Sequence, residues 1–336
     1  MLQPVLRALV EGRPLEPSQV ASAVEEVLEA RASTAQVAAL ATALRMRGET
    51  AEEIAASARA LRALATTLDI PGDLLDTCGT GGGPAGTFNV STVAAIVASA
   101  CGVRVAKHGL RAVTSRTGSA DVCEALGVRI NAPREVVVRC LLEVGLAFFY
   151  APVWHVSLAN AAVVRQELGF RTIFDLLVPL SNPAGASHQL LGVHSRAYLR
   201  PMAEALRLLG GQHAWVLHGH GGVDEVSTSG PTEVLVLSNG VLSERSVVPE
   251  DFGLERHDTA LLKGGDPATN AAIARTVLSG APGAPRTAVV LNAAAALVVA
   301  GVETDLRAAA EHASLALDSG RARDTLARWV AVSNEA

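Results

Sequence analysis

Apolar residues recur at three- and four-residue intervals through residues 1–65, and that spacing predicts helices only, packed as a small bundle with one apolar face. Ser33 with Gln36, and Thr50 with Glu53, have the spacing of capping boxes, before VAALATALRMR (which stops at Gly48) and IAASARALRALA. From Asp73 the pattern changes. LLDTCG reads as a strand, GTGGGPAGT as a loop and STVAAIVASAC as a helix. VRVAKHG is a second strand, GSADVCEALG opens a helix, and PREVVVRCLLEVG, the strand LAFFYAP and a helix ending near VRQELG follow. Strands alternating with helices predict an α/β domain with a mainly parallel sheet. FRTIFDLLVPLSNPAGA reads as irregular and Pro-rich, a hinge between lobes. HQLLGV, HAWVLHG and TEVLVL read as strands, Asn239-Gly240 as a hairpin turn, and the chain from about Asp266 as helical. The expected architecture is therefore a small N-terminal helical domain (1–68, joined in space by the hinge segment around 165–185) and a larger α/β domain (73–336).

Composition narrows the class. In 336 residues, 49% are hydrophobic and only 3% aromatic, which suits close-packed helices and parallel strands better than a β-sandwich. A net charge of -5 gives no general attraction to nucleic acid or an anionic membrane. The N-terminus MLQPVLRALVEGR lacks the pattern of a signal peptide, and the longest apolar stretches fall short of the ~20 residues of a membrane span. Cys78, Cys101, Cys123 and Cys140 are widely spaced with no CxxC pair, so reduced thiols in a cytoplasmic protein are expected.

Three stretches carry candidate chemistry. The loop from Gly79 to Thr92 follows a strand and precedes a helix, so backbone amides and glycines can approach a phosphate or pyrophosphate. It is neither the Rossmann nor the Walker pattern. Lys107 is one of two lysines among 28 basic residues. At the end of its strand it would emerge at the carboxyl edge of the sheet, where open parallel sheets bind ligands, as a compact charge that arginine does not mimic. Asp224 and Glu225 follow the strand HAWVLHG, and adjacent carboxylates suit two hard cations on a polyphosphate. His218 and His220 lack a third ligand at zinc spacing.

In this order, GTGG…TFNVST, KHG…GSADVCEALG, VRQELGFRT, GVDE and LLKGGDPATNAA resemble the anthranilate phosphoribosyltransferases along essentially the whole chain. The resemblance implies a helical domain, an α/β domain, a site at the hinge and a homodimer formed through the N-terminal helices. Phosphoribosyl pyrophosphate would lie on Gly79, Gly82, Gly83, Thr87, Asn89, Ser91 and Thr92, with Lys107, Ser115 and Ser119 completing its surroundings. Ser91, Asp224 and Glu225 would hold magnesium, as two ions. Anthranilate would meet Gly79, His108, the residue at Leu110 and Arg165, whose planar fork suits a carboxylate. No acid or base is assigned; Lys107 and Arg165 would position charge.

The sequence departs from the family pattern at several points. KHGNR carries Leu110 in place of asparagine, GTGGD carries Gly83, the HPA triplet is His155-Val156-Ser157, and FNxLGPL has Asp175 for asparagine and Val178 for glycine. If that glycine uses a positive φ, valine would stiffen the hinge. Most departures fall around the acceptor pocket or hinge. Three readings stay open here: anthranilate transfer, a paralogue using the same donor with another aromatic acid or amine, and a non-catalytic binding relative. A pyrimidine nucleoside phosphorylase suits GVDE and the VRQELGFRT arginine less well.

Overall fold

Both capping boxes form. Ser33 Oγ accepts from the Gln36 amide while Gln36 Oε1 accepts from the Ser33 amide, and Thr50 and Glu53 exchange the same two bonds. They start helices Thr34–Arg47 and Ala51–Ala63, which join Leu2–Val10 and Pro17–Leu28 in the N-terminal bundle. Gly48, at φ 88°, ends the third helix. This computed structural model describes residues 2–81, 86–112 and 116–335.

Beyond the bundle, seven strands form one sheet in the order β3-β2-β1-β4-β5-β6-β7. They are β1 (Leu75–Gly79), β2 (Val105–Gly109), β3 (Leu146–Tyr150), β4 (His188–Gly192), β5 (His213–Gly219), β6 (Thr232–Ser238) and β7 (Val241–Val247). The first five pair in parallel; β6 and β7 are antiparallel. The chain builds outward from β1 to β3, then returns to the other side of β1 to lay down β4 and β5. The gap between β1 and β4 is thus a topological switch point, and the carboxyl ends of those strands open a crevice there.

Three elements differ from the sequence reading. The segment read as irregular contains a helix, Ile173–Leu177, and a 3₁₀ turn, Val178–Leu180. Five residues are too few for periodicity to show, and the nearby prolines obscured the capping box that Thr172 and Asp175 form. Helix Leu199–Leu208, with a proline in its first turn, and strand β7 also went unread. VLSERSV has no apolar alternation because β7 is an exposed edge strand; Asn239 and Gly240, at φ 49° and 81°, fold it back onto β6.

Each sheet face has its own core. One is covered by Val90–Ala100, Ala284–Val299 and the other C-terminal helices. The opposite core includes Leu191, Val216 and Leu235 of the sheet, Met202 and Leu206 of helix Leu199–Leu208, and Leu40, Leu44 and Leu61 of the bundle. The bundle, the helices Ala159–Leu168 and Ile173–Leu177, and that sheet face share this continuous core.

Candidate active site

The crevice at the switch point is framed by closely packed glycines, of which Gly192 leaves no room for a side chain. A Cβ at Gly79, the last residue of β1, would lie 2.7 Å from Asp224 Oδ2. One at Gly192, the last residue of β4, would run into the Asp224 backbone. The loop after β5 therefore seats directly on the ends of the two central strands. It delivers Asp224 and Glu225 to a cleft that Gly79, Thr87, Asn89, Ser91 and Lys107 also line.

Asp224 and Glu225 are costly residues to place there. Burial raises both above the usual carboxylate range, and the neighbouring Asp224 charge pushes Glu225 further up. Glu225 Oε2 accepts from Thr87 Oγ1 at 3.2 Å, which meets only part of its hydrogen-bonding capacity. Two crowded, half-buried, all-oxygen donors in a cleft that Ser91 also lines fit a hard divalent cation, whose charge would relieve the repulsion. Among the described residues no cluster of three or more His, Cys, Asp or Glu side chains is poised for a metal, so any such ion needs the hydroxyl, water or substrate oxygens as well.

Lys107 requires a correction. β2 does not end there but runs to Gly109, so the lysine sits mid-strand, 1% exposed. Its ammonium donates to the Thr77 carbonyl and lies 3.4 Å from both Thr77 Oγ1 and Ser91 Oγ. Burial lowers its pKa while the charge of buried Asp76 holds it up. Lys107 thus reaches the cleft from below, through Ser91, rather than from the sheet edge.

The other expected donor residues divide. Asn89 lines the cleft but its side chain is engaged, donating to the Thr117 carbonyl and accepting from Asn270. Ser119 lines it from the start of helix Ser119–Ala125, with its hydroxyl 3.4 Å from the Leu110 carbonyl. Thr92 is buried outside the cleft lining, its hydroxyl without a partner. Gly82, Gly83 and Ser115 lie outside the described residues.

His108, Leu110, Arg165, Asp175 and Val178 line the same cleft. The His108 ring is buried beside the Val178 backbone, 5.0 Å (centroids) from the His155 ring, and burial depresses the pKa of each. Leu110 is half-buried and packs against the core shared with the bundle. Arg165 is 7% exposed; its Nη2 donates to Asp175 Oδ1 at 2.7 Å, while its Nε has no partner. Val178 adopts φ -55° in right-handed helical geometry, so valine is accommodated there without backbone strain. The sequence reading assigned no role to Arg171, a second guanidinium in the cleft that donates to the Thr80 carbonyl. Its signal was the second arginine of VRQELGFRT.

Comparison with known proteins extends this geometry to the whole chain. The glycosyl transferase family a/b domain model matches residues 71–323, and the glycosyl transferase family helical bundle domain model matches residues 3–65. The anthranilate phosphoribosyltransferase of Methylocella silvestris is 47% identical over 335 residues, covering 100% of this chain and 96% of that protein. This chain belongs to the anthranilate phosphoribosyltransferase family. The crystal structure of the Thermus thermophilus member superposes with a TM-score of 0.91 at 42% identity, covering 98% of this chain and 99% of the other. The Saccharomyces cerevisiae enzyme in complex with PRPP and Mg gives 0.89 at 28% identity, covering 99% and 97%. Against the family pattern, the glycine loop and GVDE keep their chemistry apart from Gly83, whereas Leu110, Asp175 and Val178 depart from it within the cleft lining.

Proposed function

We propose that this protein transfers the phosphoribosyl group of phosphoribosyl pyrophosphate to the amine of anthranilate, giving N-(5-phosphoribosyl)anthranilate and pyrophosphate. The observation that carries this reading is one cleft lined by the paired carboxylates Asp224 and Glu225, by Gly79, Gly81 and Gly86, and by a buried guanidinium with an unpartnered Nε. The donor would lie along Gly79, Thr87, Asn89 and Ser91, with Ser91, Asp224 and Glu225 holding magnesium, as two ions. Magnesium bound there would neutralise charge on the departing pyrophosphate.

The aromatic amine is neutral at pH 7, so its lone pair attacks the anomeric carbon without a strong base. The C–O bond to pyrophosphate breaks, its electron pair leaves with the pyrophosphate, and the amine proton passes to solvent. Lys107 holds Ser91, Arg165 faces the acceptor carboxylate, and neutral His108 presents a ring to the aromatic face. Catalysis rests on orientation and on charge placed where it develops.

Residues 1–68 with the segment around 165–185 would form one lobe and the chain from 73 the other, joined through a core that takes in residues of both. A homodimer through the N-terminal helices would cover Val10 and Met46, which are more than four-fifths exposed. The four buried free cysteines suit a cytoplasmic setting. Leu110, Asp175 and Val178 in the acceptor end favour one second reading, a related aromatic acid or amine as acceptor. The test is loss of anthranilate fluorescence that depends on phosphoribosyl pyrophosphate and magnesium. Brisk turnover, cut about 100-fold or more by Arg165→Ala, supports anthranilate; no turnover with donor binding intact moves the assignment to the second reading.

A further inference from the structure

Arg165 has two ways of gripping a carboxylate at two points. The side-on grip uses Nε with Nη2, and the end-on grip uses Nη1 with Nη2, so Nη2 belongs to both. In this chain Nη2 already donates to Asp175 Oδ1, and the pair is buried, at 7% and 11% side-chain exposure. The second oxygen of Asp175 is fixed as well: Oδ2 accepts from the Thr172 amide at 2.9 Å and from Thr172 Oγ1 at 3.2 Å. Asp175 therefore cannot swing away without uncapping the helix that follows. Meanwhile Arg165 Nε is buried in the cleft wall with no partner.

We propose that Asp175 is the specificity-determining residue of the acceptor site, an internal carboxylate that competes with the acceptor's own for Arg165. The acceptor carboxylate is left with Nε, Nη1 and a share of Nη2, so either two-point grip must share Nη2 with Asp175, and it binds beside a fixed like charge. The site is consequently tuned to hold an aromatic monocarboxylate weakly, and it discriminates against carboxylate-free rings less than a fully open guanidinium fork would. Asparagine, the residue of the family pattern, keeps an oxygen for the Thr172 cap but removes the charge and turns a donor toward the guanidinium.

This inference rests on the proposed function for the identity of the acceptor end, and its test is a binding measurement that does not need turnover. Benzoate and its neutral isostere benzamide are titrated calorimetrically into wild type and Asp175→Asn, each saturated with magnesium and phosphoribosyl pyrophosphate. Benzoate should bind about tenfold more tightly to the variant and benzamide equally to both proteins. In turnover assays the variant should lower KM for anthranilate while leaving KM for the donor unchanged, a split that a general loss of structure does not produce. Equal or weaker benzoate binding by the variant, an equal gain for benzamide, or no benzoate binding by either protein overturns the proposal. Absence of anthranilate turnover by wild type would count against the acceptor assignment instead, with the benzoate–benzamide difference still deciding the role of Asp175.

Discussion

The Lys107 ammonium lies 3.4 Å from Ser91 Oγ and, on its other side, meets the Thr77 carbonyl. It thereby ties β2 to β1 beneath the first turn of the helix that faces the cleft. Its charge also offsets that of Asp76, which is fully buried and whose carboxyl burial pushes up to about 6.

Replacing this lysine should therefore harm the fold as well as the site. Lys107→Met is expected to cost about 3 kcal/mol of stability, since it leaves Asp76 buried without its counter-charge. Urea denaturation measures this, and calorimetry should show weakened donor binding in the same variant. Unchanged stability would mean that Lys107 does not balance Asp76.

Asp224 and Glu225 should show the opposite balance. Without magnesium, two adjacent half-buried carboxylates repel, so Asp224→Asn combined with Glu225→Gln should raise the melting temperature by ~2 °C or more. The same double variant should lose turnover to a greater degree than donor affinity. A melting temperature that falls, or turnover that persists, would contradict the role given to this pair.

Leu110 offers its side chain to the core shared with the bundle, while its carbonyl accepts from the Ala120 amide at 3.2 Å. Because the backbone there is held independently of the side chain, Leu110→Asn should leave kcat/KM for anthranilate within about tenfold, ~1.4 kcal/mol. A gain well beyond tenfold from a poor wild type would favour a pocket shaped for another acceptor.

His155 makes the fold sensitive to acid. Its ring faces His108 and the Ser181 carbonyl, with Arg62 the nearby positive charge, and burial lowers its pKa to about 4 from 6.5. A depressed histidine contributes stability that is complete above 6.5 and disappears as pH falls toward 4. Asp76, raised to about 6 from 3.8, acts in the opposite sense over much of that range and offsets part of the loss. The His155 contribution should drop by on the order of 2 kcal/mol between pH 6.5 and 4.5, and His155→Gln should flatten the curve. Urea titrations at the two pH values check this; equal slopes for wild type and variant would exclude His155 as the source.

The sequence was most readable where local chemistry decides structure. Ser33, Gln36, Thr50 and Glu53 mark helix starts because the capping bonds are made within four residues. The parallel strands were visible as short apolar runs, and Gly79 and Asp224 as candidates for one site, though not the contact that requires the glycine. Long-range facts stayed hidden. The depth of Lys107 depends on its place inside VRVAKHG, two residues before the strand ends, and on the neighbours that β1 and the helix Val90–Ala100 bring to it. Arg165 and Asp175 meet across the turn at Gly169, φ 64°, and nothing in their spacing foretells which nitrogen is engaged. β7 carries no apolar code because pairing to β6 alone orders it.

The core that runs from the bundle through helix Leu199–Leu208 to Leu191 and Val216 has a mechanical consequence. Detaching the bundle would strip apolar cover from the sheet, so the two lobes share one cooperative unit rather than swinging as independent bodies. Any closure over the substrates must be a shear within packed helices, with amplitudes that side-chain repacking can absorb. Opening of the cleft that moved the bundle against the sheet would have to repack Leu191, Val216 and Met202, so the shared core would limit its extent.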